Sequence, residues 1–201
     1  MDSSISTKME GLQANASLPA NASLPANASL PANASVPANA SATFNKLYDN
    51  WTLWGHLPHD IDWTLKSYKQ ISTLATVEQT IALYETLPEK MINNCMLFLM
   101  RKGINPMWED PLNCKGGCFS YKINNKNVAA VWKMLSYILV GESLSEDKII
   151  RKHINGITIS PKKNFCIIKI WLDTCDYQNP KVITEIAGGL TSQGCLFKKH
   201  M

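Results

Sequence analysis

Short runs rich in aliphatic or aromatic residues recur along most of the chain, and each predicts a strand. They are Asp49 to Trp54, Tyr68 to Ser72, Met96 to Arg101, Cys118 to Ile123, Gly156 to Ser160, Cys166 to Leu172 and Cys195 to Lys199. Between them the spacing changes to that of a helix. Val128, Val131, Trp132, Leu135 and Leu139 fall on one helical face, with Asn127 ahead as a cap and Gly141 just past the end. Thr76 predicts the cap of another helix, from Val77 to about Glu85. Asn179-Pro180 predicts the start of a third, stopped by Gly188-Gly189. The helices fall between groups of strands without strict βαβ alternation, so the predicted class is α+β with a largely antiparallel sheet. Three helices would cover one face and leave the other free for a ligand.

The N-terminal stretch breaks this pattern. From Asn15 to Ser41 the unit Asn-Ala-Ser-Leu-Pro-Ala repeats, and its regularly spaced proline blocks helix and sheet while its few Leu and Val residues cannot build a core. Residues 1–42 therefore read as a disordered low-complexity tail and residues 43–201 as the folded domain, long enough to bury one sizeable core. Each Asn-Ala-Ser is formally a glycosylation acceptor, but the N-terminus lacks the continuous apolar segment of a secretory signal. A cytoplasmic protein with reduced thiols is the expectation.

Composition adds little beyond this. A net charge of +4 suits a polyanionic ligand without identifying one. The six cysteines include no C-x-x-C pair, and Cys114 and Cys118 have no His or Cys nearby to complete a tetrahedral site, so neither a metal nor another cofactor is expected.

The tryptophans say more. Trp132 belongs to the apolar stripe of its helix, and Trp51 and Trp54 sit beside a strand; packing accounts for all three. Trp63 and Trp108 lie instead in polar, turn-like settings, His59-Asp60-Ile61-Asp62-Trp63 and Asn105-Pro106-Met107-Trp108-Glu109-Asp110. A large ring in a loop either folds back onto the core or awaits a ligand. Glu109 sharpens the second reading, because a carboxylate beside an aromatic platform can accept two hydrogen bonds from a guanine edge while the ring stacks on the base. Glu109 and Asp110 could also be read as an acid/base pair or metal ligands, but consecutive side chains usually diverge and no nucleophile or third ligand stands nearby.

Asn50-Trp51-Thr52-Leu53-Trp54, Trp63, Thr76-Val77-Glu78, Leu83-Tyr84, Gly103-Ile104-Asn105-Pro106-Met107-Trp108-Glu109-Asp110, Lys115-Gly116-Gly117, Gly141-Glu142-Ser143 and Ile170-Trp171 follow one another in a familiar order. In order and approximate spacing they resemble eukaryotic translation initiation factor 4E, over about residues 44 to 200. The resemblance implies a curved antiparallel sheet with three helices on its convex face and a 7-methylguanosine cap site on the concave side. It implies that Trp63 and Trp108 sandwich the base, Glu109 binds its edge, Trp171 lies near the 7-methyl group and Lys162 contacts the triphosphate. The physics agrees, since methylation at N7 makes guanine cationic and two electron-rich faces then gain a cation–π contribution.

Departures from the family qualify these expectations. Cys118 and Ile167 stand where basic phosphate-binding residues are usual, Phe119 replaces a tryptophan, and the segment after Trp171 is short. Base recognition looks intact and phosphate recognition thinned. In a strand through Cys166 to Trp171, residues 167, 169 and 171 share a face, so Lys169 is expected to supply the charge that Ile167 does not, with Lys163 and Lys115 as weaker candidates. On the partner side the family's tryptophan, leucine-glutamate pair and His-Pro segment fall at Ile81, at Lys133 with Met134, and at Asn45 with Lys46. Val77, Ile81, Met134 and Tyr137 could still receive an amphipathic helix, and Lys133 suggests a helix with acidic flanks. The expected partners are capped mRNA and a scaffold resembling initiation factor 4G, recruited to promote translation initiation. A cap-occupying repressor is the alternative, and a cap-processing hydrolase finds no catalytic constellation in the sequence.

Overall fold

The computed structural model describes residues 43–200, and the tail read over residues 1–42 lies outside them. Strands β1 (Lys46–His56), β2 (Lys69–Thr76), β3 (Met96–Arg101), β4 (Gly117–Asn124), β5 (Ile154–Pro161), β6 (Phe165–Leu172) and β7 (Leu196–Lys199) form one curved sheet in the order β2-β1-β3-β5-β6-β4-β7. Every neighbouring pair is antiparallel. Each strand overlaps the apolar run expected for it. Helices α1 (Val77–Thr86), α2 (Glu89–Asn94), α3 (Val128–Val140) and α4 (Lys148–His153), with 3-10 turns at Leu65–Ser67, Asn125–Asn127 and Pro180–Val182, complete the described elements.

Alternation divides the sheet into two faces. Trp51, Leu53, Leu97, Leu99, Phe119, Tyr121, Ile157, Ile159, Ile168 and Ile170 point to the helical side, where Tyr84, Val131, Trp132, Leu135 and Leu139 close the main core over them. Trp132 and Trp51 are fully buried there, as packing tryptophans should be. The opposite, open face carries a smaller apolar cluster of Tyr68, Phe98, Met100, Ile104, Cys118 and Trp171, with Trp54, Met96 and Met107 packed on it.

Thr76 begins α1 with a full capping box, its hydroxyl accepting from Gln79 N at 3.2 Å while the Gln79 side chain accepts from Thr76 N at 3.2 Å. Two other helix expectations need correction. Asn127 makes no capping bond to α3, because it already has helical backbone angles at the end of the 3-10 turn Asn125–Asn127; its amide donates to Gly188 O at 3.1 Å. The third expected helix is one 3-10 turn, Pro180–Val182, capped by Asn179. Ile183, Ile186 and Leu190 beyond it have helical spacing and are buried, but an irregular loop places them there. Gly189 lies so tightly on Val131 that a side chain could not fit, and Gly188 takes a positive φ of 79°. The short helices α2 and α4, of 6 residues each, were not foreseen because so few residues display no period.

Candidate functional site

Strand registers set the open face out in rows. One row runs Thr52, Met100, Gly156, Trp171, Cys118, Lys198; the next runs Trp54, Phe98, Thr158, Lys169, Ser120, Leu196. Apolar rings and thioethers thus fill the β1–β3 side while lysines gather toward β6 and β7. Gly156 has no alternative at its place, since a Cβ would meet the Met100 sulfur and the Leu99 carbonyl.

Between β3 and β4 the loop carrying Trp108 and Glu109 is held from below. The buried Asp110 carboxylate accepts from Asn105 N at 3.0 Å and Leu112 N at 2.9 Å. Asn113, fully buried, donates to Asn105 O at 3.1 Å and Met107 O at 2.8 Å, and its side-chain oxygen accepts from Asn155 at 2.9 Å. Ile104 and Met107 sink into the open-face cluster. The loop is therefore tied down by Asp110 while Trp108, 49% exposed, and the exposed Glu109 stay available. The two adjacent carboxylates point to different tasks. Gly116 and Gly117 follow because β4 starts in a space already taken, by the backbone of Leu172 and Asp173 at one glycine and by the Phe197 ring and Lys198 carbonyl at the other.

Trp63 lies in the loop after β1, 53% exposed, with one face stacked on His56 at 4.2 Å and an interplanar angle of 3°. His56 Nε2 donates to Asp62 O at 2.9 Å, which fixes the imidazole's plane. The Asp62 carboxylate accepts from Thr64 N at 2.8 Å and Thr64 Oγ1 at 3.0 Å, and these bonds hold its pKa below the usual range. Tyr68 meets His56 edge-on at 5.1 Å and Phe98 at 5.3 Å. Burial pushes the Tyr68 phenol up to about 12, and the negative charge of Glu109 adds to the shift. Trp63, His56, Tyr68 and Glu109 therefore follow one another across the open face.

A cavity of about 300 Å³ opens beside Trp108, lined also by Cys118, Lys169, Trp171, Lys198, Lys199 and His200. Trp63 is not in its lining. Trp171 is buried, its ring 4.7 Å from that of His200. His200 Nδ1 donates to Asn113 O at 2.7 Å, so β7 is bound to the floor of the Trp108 loop. Burial lowers the His200 pKa, against the Asn113 bond and with help from Lys169. Burial also raises the Cys118 thiol, opposed by Lys169 and Lys198.

The expected phosphate contacts divide. Lys169 shares the Trp108 cavity, whereas Lys162 and Lys163 line a separate one with Pro58, His59 and Asn125 at the β5–β6 turn. Lys115 lines neither of the two. His56, Tyr68, Asn113, Lys198 and His200 escaped the sequence reading. For Lys198 and His200 a signal existed: with Phe197 turned to the core, residues 198 and 200 must face the other way.

On the helical side Val77, Ile81, Tyr137, Leu47 and Val140 line an apolar groove of about 350 Å³ between α1 and α3. Met134 is exposed but outside that lining. Lys133 bonds Glu85 at 2.7 Å, so its charge is already matched. Asn45 donates to the Glu78 carboxylate at 2.8 Å, where the family has its His-Pro segment.

All six cysteines are free, and among the described residues no group of three His, Cys, Asp or Glu side chains could hold a metal. Among the same residues no helix is long and apolar enough to cross a membrane.

Comparison with known proteins places this arrangement. A homologue of eukaryotic translation initiation factor 4E from Acanthamoeba polyphaga mimivirus is 29% identical over 150 residues, covering 67% of this chain and 51% of that protein. Initiation factor 4E-2 of Schizosaccharomyces pombe is 30% identical over 150 residues, covering 71% of this chain and 58% of its own length. The chain thus spans little more than half the length of these relatives. Among solved structures, Ascaris suum initiation factor 4E-3 with an m7G cap superimposes with a TM-score of 0.61 at 23% identity, over 70% of this chain and 78% of that one. Caenorhabditis elegans initiation factor 4E-3 with the 4E-binding protein Mextli and a cap analogue gives 0.60 at 24%, over 66% and 76%. These two likenesses show the fold. The family model described as eukaryotic initiation factor 4E matches residues 46–197, from the first strand to the last, and the chain belongs to that family.

Proposed function

We propose that the open face binds the 7-methylguanosine cap of mRNA, with the base between Trp63 and Trp108, its edge on Glu109 and its methyl group toward Trp171. One observation carries this reading: a half-exposed tryptophan and an exposed carboxylate stand side by side on a loop pinned by Asp110 and Asn113, next to the buried Trp171. A pinned loop binds without first being ordered, which favours affinity. The Ascaris structure contains an m7G cap, consistent with a cap ligand here. No chemical step on the cap is part of this reading, and incubation with cap analogue should yield no product.

The chain should be retained on 7-methylguanosine resin and eluted by free cap analogue. Trp108→Ala should weaken binding by about 1 to 3 kcal/mol through loss of one stacking face. Glu109→Ala should weaken it more, since the buried base edge loses charge-assisted hydrogen bonds. Parent-like affinity in both variants would mean that the pocket has been placed wrongly.

Residues 43–201 would form the binding domain and residues 1–42 a spacer, so a chain starting at residue 43 should bind cap analogue as the full chain does. The apolar groove between α1 and α3 would take an amphipathic helix of a scaffold resembling initiation factor 4G, promoting translation initiation in the cytoplasm. A repressor that occupies the cap without a scaffold is the second reading, favoured by Ile81 standing at the family's tryptophan position. Recovery of a scaffold with the chain from native cytoplasm separates the two.

A further inference from the structure

The family's basic position after Lys115-Gly116-Gly117 is Cys118 here, a buried thiol unable to neutralise a phosphate. Strand β7 changes what that loss means. Cys118 sits in its row between Trp171 on β6 and Lys198 on β7, directly paired with both. Lys169 is in the adjacent row, paired with Ser120. Both lysines line the Trp108 cavity, and neither is ion-paired among the described residues; Lys199 also touches it, but from the position that alternates with Lys198, opposite Gly117.

Distances along the sheet rank the candidate cations. From Trp171, Lys198 is two strands away, about 10 Å at the usual strand spacing, and Lys169 is two residues along β6, about 7 Å. Lys162 lies opposite Phe165 at the hairpin end, six residues along and about 20 Å distant, in its own cavity. His200, fixed to Asn113, closes the cavity beside Trp171.

We propose that Lys198 and Lys169 together form the anion subsite of this chain, receiving the polyphosphate of the cap across the β6–β4–β7 edge in place of side chains missing at Cys118 and Ile167. The proposal rests on the cap-binding reading above for the identity of the ligand. Two ammonium groups on neighbouring rows form a concave pair suited to adjacent phosphates. Their position sends the phosphates toward β7, away from the β5–β6 turn where Lys162 stands.

Calorimetric titration of the full chain tests this with N7-methylguanosine, its mono-, di- and triphosphates, and inorganic tripolyphosphate, each at two salt concentrations. The parent should gain affinity with each added phosphate. Lys198→Ala and Lys169→Ala should each remove about tenfold of the gain from mono- to triphosphate and reduce the salt slope by about 0.7 to 1, with nucleoside binding unchanged. Lys198→Arg should keep the gain. Tripolyphosphate binding that depends on Lys198, in a chain that ignores the nucleoside, would sink the base-site reading and leave the anion subsite standing. An unchanged phosphate gain in Lys198→Ala, its loss in Lys162→Ala alone, or no binding of any of the five probes would overturn the proposal.

Discussion

Glu142 has a positive φ of 51°, in the left-handed region that favours glycine, although Gly141 directly precedes it. Its carboxylate explains why the conformation is kept. It forms a bidentate pair with Arg101, at 2.7 and 2.9 Å, while Arg101 also reaches Asp49 at 2.7 Å, the carbonyls of Ile154 and Arg151, and the face of Trp51 at 4.6 Å. Burial lowers the Arg101 pKa and the Glu142 hydrogen bonds outweigh it, so the guanidinium stays charged. Removing one partner of a mostly buried pair costs about 3 to 5 kcal/mol, and the surviving Asp49 contact places Glu142→Ala near the lower end. Urea unfolding should show this as an earlier midpoint, with Glu142→Gly recovering about 1 kcal/mol from relief of backbone strain. Coincident midpoints for parent and Ala variant would show the pair to be idle. Sequence reading marked Gly141 as the end of the helix, and it could not show that the strained residue comes next. The reason is non-local: the Glu142 carboxylate is held by Arg101, 41 positions away in the chain.

Elements were legible where the signal is local: β3, buried on both faces, spans the expected apolar run, α1 starts at its Thr76 cap and α3 follows its apolar stripe. Elements governed by tertiary fit were not, as the Ile183 to Leu190 segment shows by spacing its apolar residues like a helix while packing as a loop on Val131. Pairing was equally hidden: β7 was visible as a strand, but its alignment against β4 had no local signal, and Lys198 and His200 went unread with it. On the helical side the Lys133–Glu85 bond alters the expected partner preference. An exposed pair of this kind contributes at most about 1 kcal/mol, yet it neutralises the charge that was to select acidic flanks, so any charge preference should be slight. Shape dominates instead. A peptide bearing the usual scaffold motif should bind at least about tenfold more weakly than to a family member with the tryptophan, and Ile81→Trp should restore part of the loss. Submicromolar binding by the parent in a calorimetric titration would refute the altered groove.

At the scale of the whole domain, one sheet separates two surfaces that the sequence located with different success. Aromatic and acidic base-site candidates could be named because loop tryptophans are conspicuous; the basic candidates lie scattered, Lys169 in the Trp108 cavity and Lys162 and Lys163 in another, since lysines are common on any surface. Lys169 could be named by strand parity and Lys198 could not, because its place depends on which strand lies beside which. The remaining consequence concerns rate. His56 covers one face of Trp63 in parallel contact and is itself fixed by Asp62 and Tyr68, so Trp63 offers its other face already oriented. An incoming base then meets a platform that spends little time turned away, and the fraction of productive encounters is high. His56→Ala should slow cap association in stopped-flow traces while leaving dissociation close to the parent's, whereas His56→Phe, which keeps a flat support, should associate at nearly the parent rate. Equal association rates in all three would mean that the ring's orientation comes from its own loop. In that proposed column the imidazole would never touch the ligand, yet it would set how often the encounter succeeds.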